Sequence, residues 1–397
     1  MNINLGININ LLTLLIFAVV AVVGLVPMRL AGLRRESGMW MALVALCFVL
    51  YSSNDDFLGQ SNIGNTIRQI SMLGIFAVGI SFVIITGGID LSVGSVIGLT
   101  GVLIAKLSIA EAAGGFGYSL WVAIPLALAV AALIGFVQGT LITRLNLQPF
   151  IVTLGGMLLL RGISQTIVKG GTLSLGSSPL TRLSNEGLSA FLPYPLVIFL
   201  AVVLVGAYVL HFTVFGRYVY AIGGNRDAAE YSGINVKRVE TTTYVVSSFL
   251  GGVAGVCYAA YISQMSQQVG IAYELYAIAA AVLGGVSLRG GEGTVLGIII
   301  GTAVMRVIDN GINMFQVIYT DALGIPRIWR LDPNWTFIIV GVVILVAVIL
   351  DQVVHIAQAR RRTRKAGQAA AAPPSPRGFE VVPSGAHASG HEPPQSS

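Results

Sequence analysis

The sequence predicts an all-α protein that lies in a lipid bilayer, with about eleven transmembrane helices. Hydrophobic residues make up 55% of the 397-residue chain and charged residues only 10%, whereas a soluble domain carries about a quarter charged residues. The mean hydropathy of +0.83 agrees with this class. Because backbone polar groups must be satisfied internally in lipid, long apolar runs without breaks indicate spanning helices.

The apolar runs supply the individual helices, since about 20 mostly apolar residues cross the hydrocarbon core. Met39–Tyr51 is short unless it extends from Ser37 to Ser53, and Ala277–Leu288 crosses only if neighbouring residues complete the span. The predicted spans are Asn10–Met28, Met39–Tyr51, Thr66–Thr86, Gly94–Ile109, Leu120–Leu141, Phe150–Val168, Leu192–Leu210, Thr242–Ile262, Ala277–Leu288, Thr294–Ile312 and Trp335–Val354.

The basic residues predict the orientation of these spans, because Lys and Arg collect in cytosolic loops. This rule favours an external N-terminus and a cytosolic C-terminus. Termini on opposite sides of the membrane require an odd number of spans, which agrees with the eleven predicted. The net charge of +6 therefore reflects the loops and requires no nucleic acid partner. The basic residues predicted to lie inside include Arg29, Arg34, Arg35, Arg144, Arg217, Arg226, Lys237, Arg238, Arg289 and Arg360–Lys365.

A polar segment at 214–240 separates two long apolar runs. Arg226–Tyr231 contains good helix formers, Asn225 is placed to cap the helix at its N-terminus, and Gly233 is placed to end it. The pattern predicts one short helix outside the lipid. A loop of this kind either connects two spans and does nothing more, or offers a rigid contact to a partner.

The sequence of this segment resembles the coupling loop of ATP-binding cassette (ABC) importer permeases, most closely those for ribose, xylose, arabinose and galactosides. Two small residues, Ala228 and Ala229, are followed by the tetrapeptide Gly233-Ile234-Asn235-Val236. The resemblance implies that a separate ATPase subunit docks on this loop. The residues implied in that contact are Gly224, Asn225, Asp227, Ala228, Ala229, Gly233, Ile234 and Asn235.

The stretch TGGIDLSVGS at Thr86–Ser95 is the second resemblance to the sugar-importer permeases. It interrupts two apolar runs with glycines, serines and an acid, and a carboxylate at membrane depth costs about 2.5–3.5 kcal/mol. One interpretation is a cytosolic turn in which Asp90 caps the next helix. The other is a structural joint beside the translocation path that involves Gly87, Gly88, Asp90 and Ser92.

Further polar residues are candidates for the translocation path, and Gln148–Met157 and Ala272–Thr294 also resemble the family. Arg306 and Asp309 have the i, i+3 spacing that lets side chains pair on a helix. They form either an ion pair that fixes helix packing or part of a sugar path. Glu274 is an external surface charge or a contact for the binding protein. The remaining path candidates are Gln165, Asn310 and Asn313.

The chain departs from the family pattern in four places. Tyr276 stands where the family commonly has Asp, Ser263–Gln268 lacks the Arg that the family usually has there, Asn10–Met28 is an additional N-terminal span, and Phe315–Pro333 is longer than the equivalent segment. The implied fold is a type II importer core of about ten helices with one extra helix. The predicted regions are 1–54 with the extra helix and the first core helix, 55–355 with the permease core, and 356–397 with a basic segment and a disordered tail.

The sequence predicts no catalytic residue, metal site or cofactor. GGEGT at Gly290–Thr294 lacks the Lys of a phosphate-binding loop, and the two cysteines lie in apolar runs. The resemblance implies five partners: the ATPase, a periplasmic or extracellular sugar-binding protein, a second copy or a homologous permease, a sugar and the bilayer of the bacterial inner membrane. The alternatives are a nucleoside or branched-chain amino acid permease, an ion-coupled transporter, and a structural membrane protein.

Overall fold

The protein is a bundle of apolar helices. The computed structural model describes residues 3–4, 11–176, 178–189, 191–320, 326–330, 332, 334–346, 348–349 and 352–353. Within these residues, eight helices are long and apolar enough to cross a membrane, and three apolar helices are shorter. The predicted all-α polytopic class is confirmed. Residues up to Ile349 form one compact unit; the second, Leu350–Ser397, is described only at 352–353, so the predicted tail lies outside the described residues.

The helices follow the predicted spans, with a few additions outside them. They are α1 Leu11–Leu30, α2 Arg34–Ser53, α3 Gln60–Ile85, α4 Val93–Ser108, α5 Leu120–Arg144, α6 Pro149–Val168, α7 Arg182–Asn185, α8 Tyr194–Phe212, α9 Val214–Gly224, α10 Arg226–Tyr231, α11 Val236–Ile262, α12 Tyr273–Leu283, α13 Val295–Met314 and α14 Trp335–Val346. The short strands are β1 Ile3–Asn4, β2 Leu173–Ser174, β3 Gly187–Ser189, β4 Leu192–Pro193, β5 Gln264–Met265, β6 Gln316–Thr320 and β7 Pro326–Arg330.

Helix α3 is the centre of the bundle. Its residues from Ser71 to Ile85 are all buried, as expected for a helix that is apolar on every side. Helices α4, α8, α11, α12 and α13 pack around it. We call the end of the bundle at Ile85 the proximal end and the end at Gln60 the distal end.

Small residues allow two of these helix contacts to be close, as the spacing of the glycines predicts. A side chain at Gly94 or Gly98 of α4 would collide with the backbone oxygen of Gly270 or Val269. In the same way, Gly297 and Gly301 of α13 lie directly on the backbone of α12. Substitution of these glycines would therefore push the helices apart.

The short helix α12 spans only part of the bundle, since its 11 residues rise about 16 Å. The chain nevertheless runs from the distal to the proximal end. Before α12, Tyr261 donates a hydrogen bond to Asn65 Oδ1 near the start of α3. After it, Gly291 N donates to Ile85 O at the end of α3, at 2.8 Å. A largely non-helical segment at 263–272 supplies the missing length.

The two insertions predicted from the sequence meet in one small sheet. Strand β6 pairs with β7 in the long segment after α13 and also with β1 at the N-terminus, in the order β1-β6-β7. Ile3 lies opposite Tyr319, and Asn4 lies opposite Ile318. The extra helix α1 packs mainly on α2, where Phe17 contacts Phe48 edge-on. This pairing was not predicted from the sequence.

Candidate functional site: the polar segment at 214–240, the Asp90 joint and the Arg306–Asp309 pair

The polar segment at 214–240 folds as two short helices rather than the predicted single one. Helix α9 precedes the predicted helix α10, and Asn225 separates them. The Asn225 side chain accepts a hydrogen bond from Ala228 N at 2.9 Å, as predicted for an N-cap. Gly233 has a φ of +84°, a conformation that favours glycine, and it follows the end of α10. The capping and termination of α10 are thus confirmed.

This segment is held tightly against the proximal end of the bundle. Tyr220 of α9 donates a hydrogen bond to Gly293 O at 2.7 Å. A side chain at Gly223 would collide with Ile85 O and with the backbone of Gly291. The end of α9 therefore lies on the end of α3 and on the turn before α13, so a force on the segment would reach both helices.

The two alanines of α10 face opposite ways. Ala229 is buried in the hydrophobic core of the bundle, whereas Ala228 is exposed. Ala229 therefore packs on its own subunit, and the contact of the two alanines with a partner stays a prediction. Among the other predicted contact residues, those exposed are Gly224, Asn225, Asp227, Gly233 and Asn235, and Ile234 is half-buried.

Tyr231 is the residue of this surface that sequence reasoning missed. It is the last residue of α10 and is 91% exposed. An exposed aromatic ring beside small residues is typical of the energetic centre of a protein interface. Its position at the end of an amphipathic turn, opposite buried Ala229, was the available signal.

An ion pair braces the segment against α11. Arg226 Nε lies 3.0 Å from Glu240 Oε1. The hydrogen bond from the guanidinium to Glu240 raises the pKa of Arg226 above its ordinary value. The guanidinium therefore stays charged at physiological pH, and the pair joins the start of α10 to the first turns of α11.

Asp90 is the centre of a hydrogen-bonded joint. It is fully buried, and its Oδ1 accepts from Ser92 N at 2.9 Å and from Ser92 Oγ at 2.7 Å. Its Oδ2 accepts from Ser247 Oγ of α11 at 2.7 Å. Gln138 Oε1 of α5 lies 2.9 Å from Ser92 Oγ. The joint thus ties the loop between α3 and α4 to two further helices.

These contacts favour the structural joint over the simple cap. Ser92 is the residue that precedes α4, and no side chain caps that helix. Gly87 has a φ of +84°, and a side chain at Gly88 would press against Tyr244 and Val83. The roles of Gln138, Tyr244 and Ser247 could not be read from the sequence, because they depend on contacts between distant helices.

The Asp90 joint and the polar segment at 214–240 line the same cavity of about 340 Å³ at the proximal end. Gly87 and Gly88 line it from one side, and Arg226, Glu240 and Tyr244 line it from the other. A displacement of the Arg226–Glu240 pair would therefore change the space beside the joint.

Arg306 and Asp309 form the predicted ion pair, with 3.1 Å between Arg306 Nη1 and Asp309 Oδ2. Arg306 is buried, and its Nη2 donates to the Tyr258 hydroxyl at 3.1 Å. Its guanidinium carbon lies 5.4 Å from the centre of the Tyr276 ring. Both partners line a cavity of about 300 Å³ toward the distal end. Here the two interpretations coincide, since the pair fixes packing and also faces a cavity.

The other path candidates lie in different surroundings. Asn310 exchanges two side-chain hydrogen bonds with Asn62 of α3, at 2.7 and 3.0 Å. Asn313 is exposed and donates to Asp309 O of its own helix. Gln165 is exposed on α6. The structure therefore brings Arg306, Asp309 and Asn310 together on one helix face and leaves Gln165 apart.

Glu274 is not the external surface charge that the sequence suggested. It is 7% exposed and lies against Gly94 of α4, where a side chain would collide with its carboxylate. Its Oε2 has no hydrogen-bond partner among the described residues. Burial inside the subunit therefore leaves the predicted contact with a binding protein without an exposed carboxylate.

The described residues contain no group of three or more His, Cys, Asp or Glu side chains that could hold a metal ion. Both cysteines are free, and Cys257 is buried.

Comparison with known proteins places this arrangement in a family. Residues 62–348 match the family model described as the branched-chain amino acid transport system / permease component. The chain belongs to this permease family. The match begins within α3 and ends at residue 348, so it contains the polar segment at 214–240, the Asp90 joint and the Arg306–Asp309 pair, and it excludes α1 and α2.

Several curated permeases are similar over most of their length. The chain is 36% identical over 319 residues to the ribose import permease protein of Haemophilus influenzae, covering 80% of this chain and 93% of that protein. It is 35% identical to the fructose import permease protein of Bifidobacterium longum, covering 75% and 87%. It is 33% identical to the galactose/methyl galactoside import permease protein of Escherichia coli, covering 80% and 94%. No solved structure matches the chain.

Proposed function

We propose that this protein is the membrane-spanning permease subunit of an ABC importer for a monosaccharide, a pentose or a hexose. The observation that carries the proposal is the polar segment at 214–240, here called the coupling segment. It joins an exposed surface on α10 to the ends of α3 and α13. ATP hydrolysis belongs to a separate subunit, and the permease supplies the path.

The named relatives support a sugar as cargo. The ribose, fructose and galactoside permeases are each similar over at least 75% of this chain. The description of the family model names branched-chain amino acids instead. That cargo is the second candidate, and the similarity of nearly whole chains favours the sugar.

Coupling in this proposal is mechanical. An ATPase subunit binds the exposed face of α10, including Ala228 and Tyr231. ATP-driven closure of the ATPase subunits then moves the coupling segment. Because α9 lies on the end of α3, the motion reaches the Asp90 joint and changes how the helices are arranged. Each ligand drives such a change only to the extent that it binds one state more tightly than the other.

The distribution of basic residues supports a cytosolic position for the coupling segment. The proximal end carries Arg29, Arg35, Arg144, Arg217, Arg226, Lys237, Arg238 and Arg289, on loops or helix ends that meet there. By the positive-inside rule, this end faces the cytosol of a bacterium. The N-terminal strand β1 then lies on the external side of the inner membrane, where a sugar-binding protein delivers the sugar.

The complete transporter contains two permease subunits, two copies of this chain or one copy with a homologue. The resemblance of the chain to importer permeases is the reason for this. Gln165 of α6 is exposed and supplies a polar group available to the second subunit or to the path. Gly87, Gly88, Asp90 and Ser92 serve as the joint beside that path.

Two other classes make different predictions. An ion-coupled transporter would accumulate solute under an ion gradient without an ATPase, and a structural membrane protein would tolerate charge reversal across α10. The deciding experiment reconstitutes this permease with the ATPase and binding protein from neighbouring reading frames in proteoliposomes. We expect ATP-dependent uptake of ribose, fructose or galactose. Uptake driven by an ion gradient alone, or uptake of leucine but of no sugar, would overturn the proposal.

A further inference from the structure

The cavity beside Arg306 has the chemistry of a small-molecule site. We call it the aromatic chamber. Its volume of about 300 Å³ lies at the lower end of the range of ligand pockets, and it corresponds to roughly ten water volumes. Helices α3, α11, α12 and α13 each contribute to its wall. The residues that matter here are Gln69, Tyr258, Tyr261, Tyr273, Tyr276 and Arg306.

Aromatic rings form most of the polarisable surface of the chamber. The Tyr258 and Tyr273 rings lie 4.9 Å apart, and Tyr273 stacks on Phe76 behind it. Tyr276 is held by the Arg306 guanidinium. These tyrosines present ring faces together with hydroxyl groups, so a ligand that is apolar on one face and hydroxylated at its edge is matched on both sides.

The charge in the chamber is balanced. Asp309 neutralises Arg306 at 3.1 Å, which disfavours a ligand with a full negative charge. Arg306 is only 7% exposed, yet its Nε has no hydrogen-bond partner among the described residues. A buried N–H without an acceptor costs about 1–3 kcal/mol. The Nε atom has almost no accessible surface, so a neutral ligand in the chamber meets the guanidinium at Nη1 and Nη2 instead.

A second cavity leads toward the distal surface. This distal groove, of about 640 Å³, is open and is lined mainly by residues of polar type. Tyr261 lines both cavities, and its hydroxyl donates to Asn65 Oδ1 at 2.7 Å in the groove. Arg68 also lines the groove, and its Nε has no partner among the described residues. The polar groove and the aromatic chamber therefore form consecutive compartments that share one wall.

We propose that the aromatic chamber is a low-affinity binding site for a single monosaccharide, which reaches it through the distal groove. The sugar ring packs against the tyrosines, and its hydroxyl oxygens accept hydrogen bonds from the N–H groups of Arg306 Nη1 and Nη2 that Asp309 and Tyr258 leave unused. This inference rests on the proposed function and adds the place where the permease itself holds its cargo. The chamber has room for one sugar ring.

Protection of an introduced cysteine tests the site directly. In a Cys47→Ala/Cys257→Ala background, Ile271→Cys places a thiol in the wall of the chamber at a half-exposed position. We expect ribose, fructose or galactose at high concentration to slow its methanethiosulfonate labelling several-fold in the purified permease. Sucrose should leave the rate unchanged. Gln69→Cys is the second position, in case Ile271→Cys does not fold.

Asn313→Cys is the matched control, because it is exposed on α13 and does not line the chamber. Its labelling should not respond to any sugar. Arg306→Lys keeps the charge but removes the planar set of guanidinium N–H donors, so protection at Ile271→Cys should fall to the level seen with sucrose. Equal labelling rates with and without all three monosaccharides, at both chamber positions, would overturn the site.

ATP-dependent uptake by the whole transporter separates this inference from the proposed function. Normal sugar uptake without protection would overturn only the chamber as a site. Protection without any uptake of the same sugar would instead count against the importer. Protection with uptake supports both.

Discussion

Ser247 of α11 donates a hydrogen bond of 2.7 Å to Asp90 Oδ2, across 157 positions of sequence. The Asp90 joint therefore depends on a helix that begins beside the coupling segment. Because α11 carries Glu240 near its start and Ser247 two turns later, the same helix contacts Arg226 at the surface and Asp90 inside.

The first prediction concerns the strength of this joint. Asp90→Ala leaves the Ser92 amide and the Ser247 hydroxyl without their acceptor, and each unmet buried donor costs about 1–3 kcal/mol. We expect a clear fall in the apparent melting temperature in detergent. Asp90→Asn should fall less, since its amide retains an acceptor oxygen and can bond the Ser247 oxygen.

Glu111→Ala is the control for this series, because Glu111 is exposed in the short turn after α4. Its apparent melting temperature should match that of the unmodified permease. If Asp90→Ala is as stable as Glu111→Ala, the joint does not hold the helices together.

The second prediction compares two aspartates. Asp309→Ala removes the counter-charge of Arg306, which is buried, and breaking a buried ion pair costs about 3–5 kcal/mol. We expect Asp309→Ala to lower thermal stability and uptake strongly. Asp56→Ala should have little effect on stability, since the Asp56 side chain is exposed. Equal and mild losses of stability would show that Arg306 does not depend on Asp309.

How much the sequence predicted depends on the range of the interactions. The eleven apolar helices follow from runs of neighbouring residues, and the Asn225 cap and Gly233 terminator follow from local hydrogen bonding. That segment 263–283 crosses the membrane could be argued only from the charges, because an odd number of spans places the basic C-terminal cluster in the cytosol. The physical basis of this crossing, a non-helical segment against the glycines of α4, depends on a tertiary contact.

The site was less predictable than the fold, because side-chain direction is set by packing. Ala228 and Ala229 are adjacent and chemically identical, and only the contact with the core distinguishes them. Glu274 reads as a surface charge by type, yet the space beside Gly94 accommodates its carboxylate. The chamber gathers tyrosines from two helices around Arg306, a grouping that no linear motif reveals.

The third prediction uses the difference between the two alanines. Ala228→Glu adds a charge to an exposed face, so the permease should fold normally but lose co-purification with the ATPase and ATP-dependent uptake. Ala229→Glu buries a carboxylate in the core, which is costly without a partner. It should lower the apparent melting temperature and the yield of folded permease.

Thermal stability and pulldown of the ATPase, measured on the same preparations, check this pair. Unchanged co-purification for Ala228→Glu would exclude α10 as the docking surface. Equal stability of the two variants would contradict the observed burial of Ala229.

The fourth prediction concerns Tyr231. Its ring is 91% exposed, so Tyr231→Ala removes no internal packing of note. If the ring is an anchor for the ATPase, its loss should weaken assembly by more than fivefold, as expected for a residue worth over 1 kcal/mol at an interface. Titration of the ATPase against immobilised permease measures the change. Tyr118→Ala, an exposed tyrosine at the distal end, should assemble normally; parallel losses in both variants would point to a general defect.

The last prediction tests the orientation on which the proposed coupling depends. In the same cysteine-free background, Ala228→Cys lies at the proximal end, and Ser189→Cys lies in the strand before α8 at the distal end. Both positions are exposed. We expect a membrane-impermeant maleimide, added to intact spheroplasts, to label Ser189→Cys and to spare Ala228→Cys.

Lysed membranes serve as the control for this experiment, because both thiols should then react. The positive-inside rule and the shared proximal position of Arg217, Arg226 and Lys237 give the physical reason for the expected pattern. Labelling of Ala228→Cys in sealed cells would place α10 outside, where no cytosolic ATPase reaches it. The orientation and the mechanism of coupling would then both have to be abandoned.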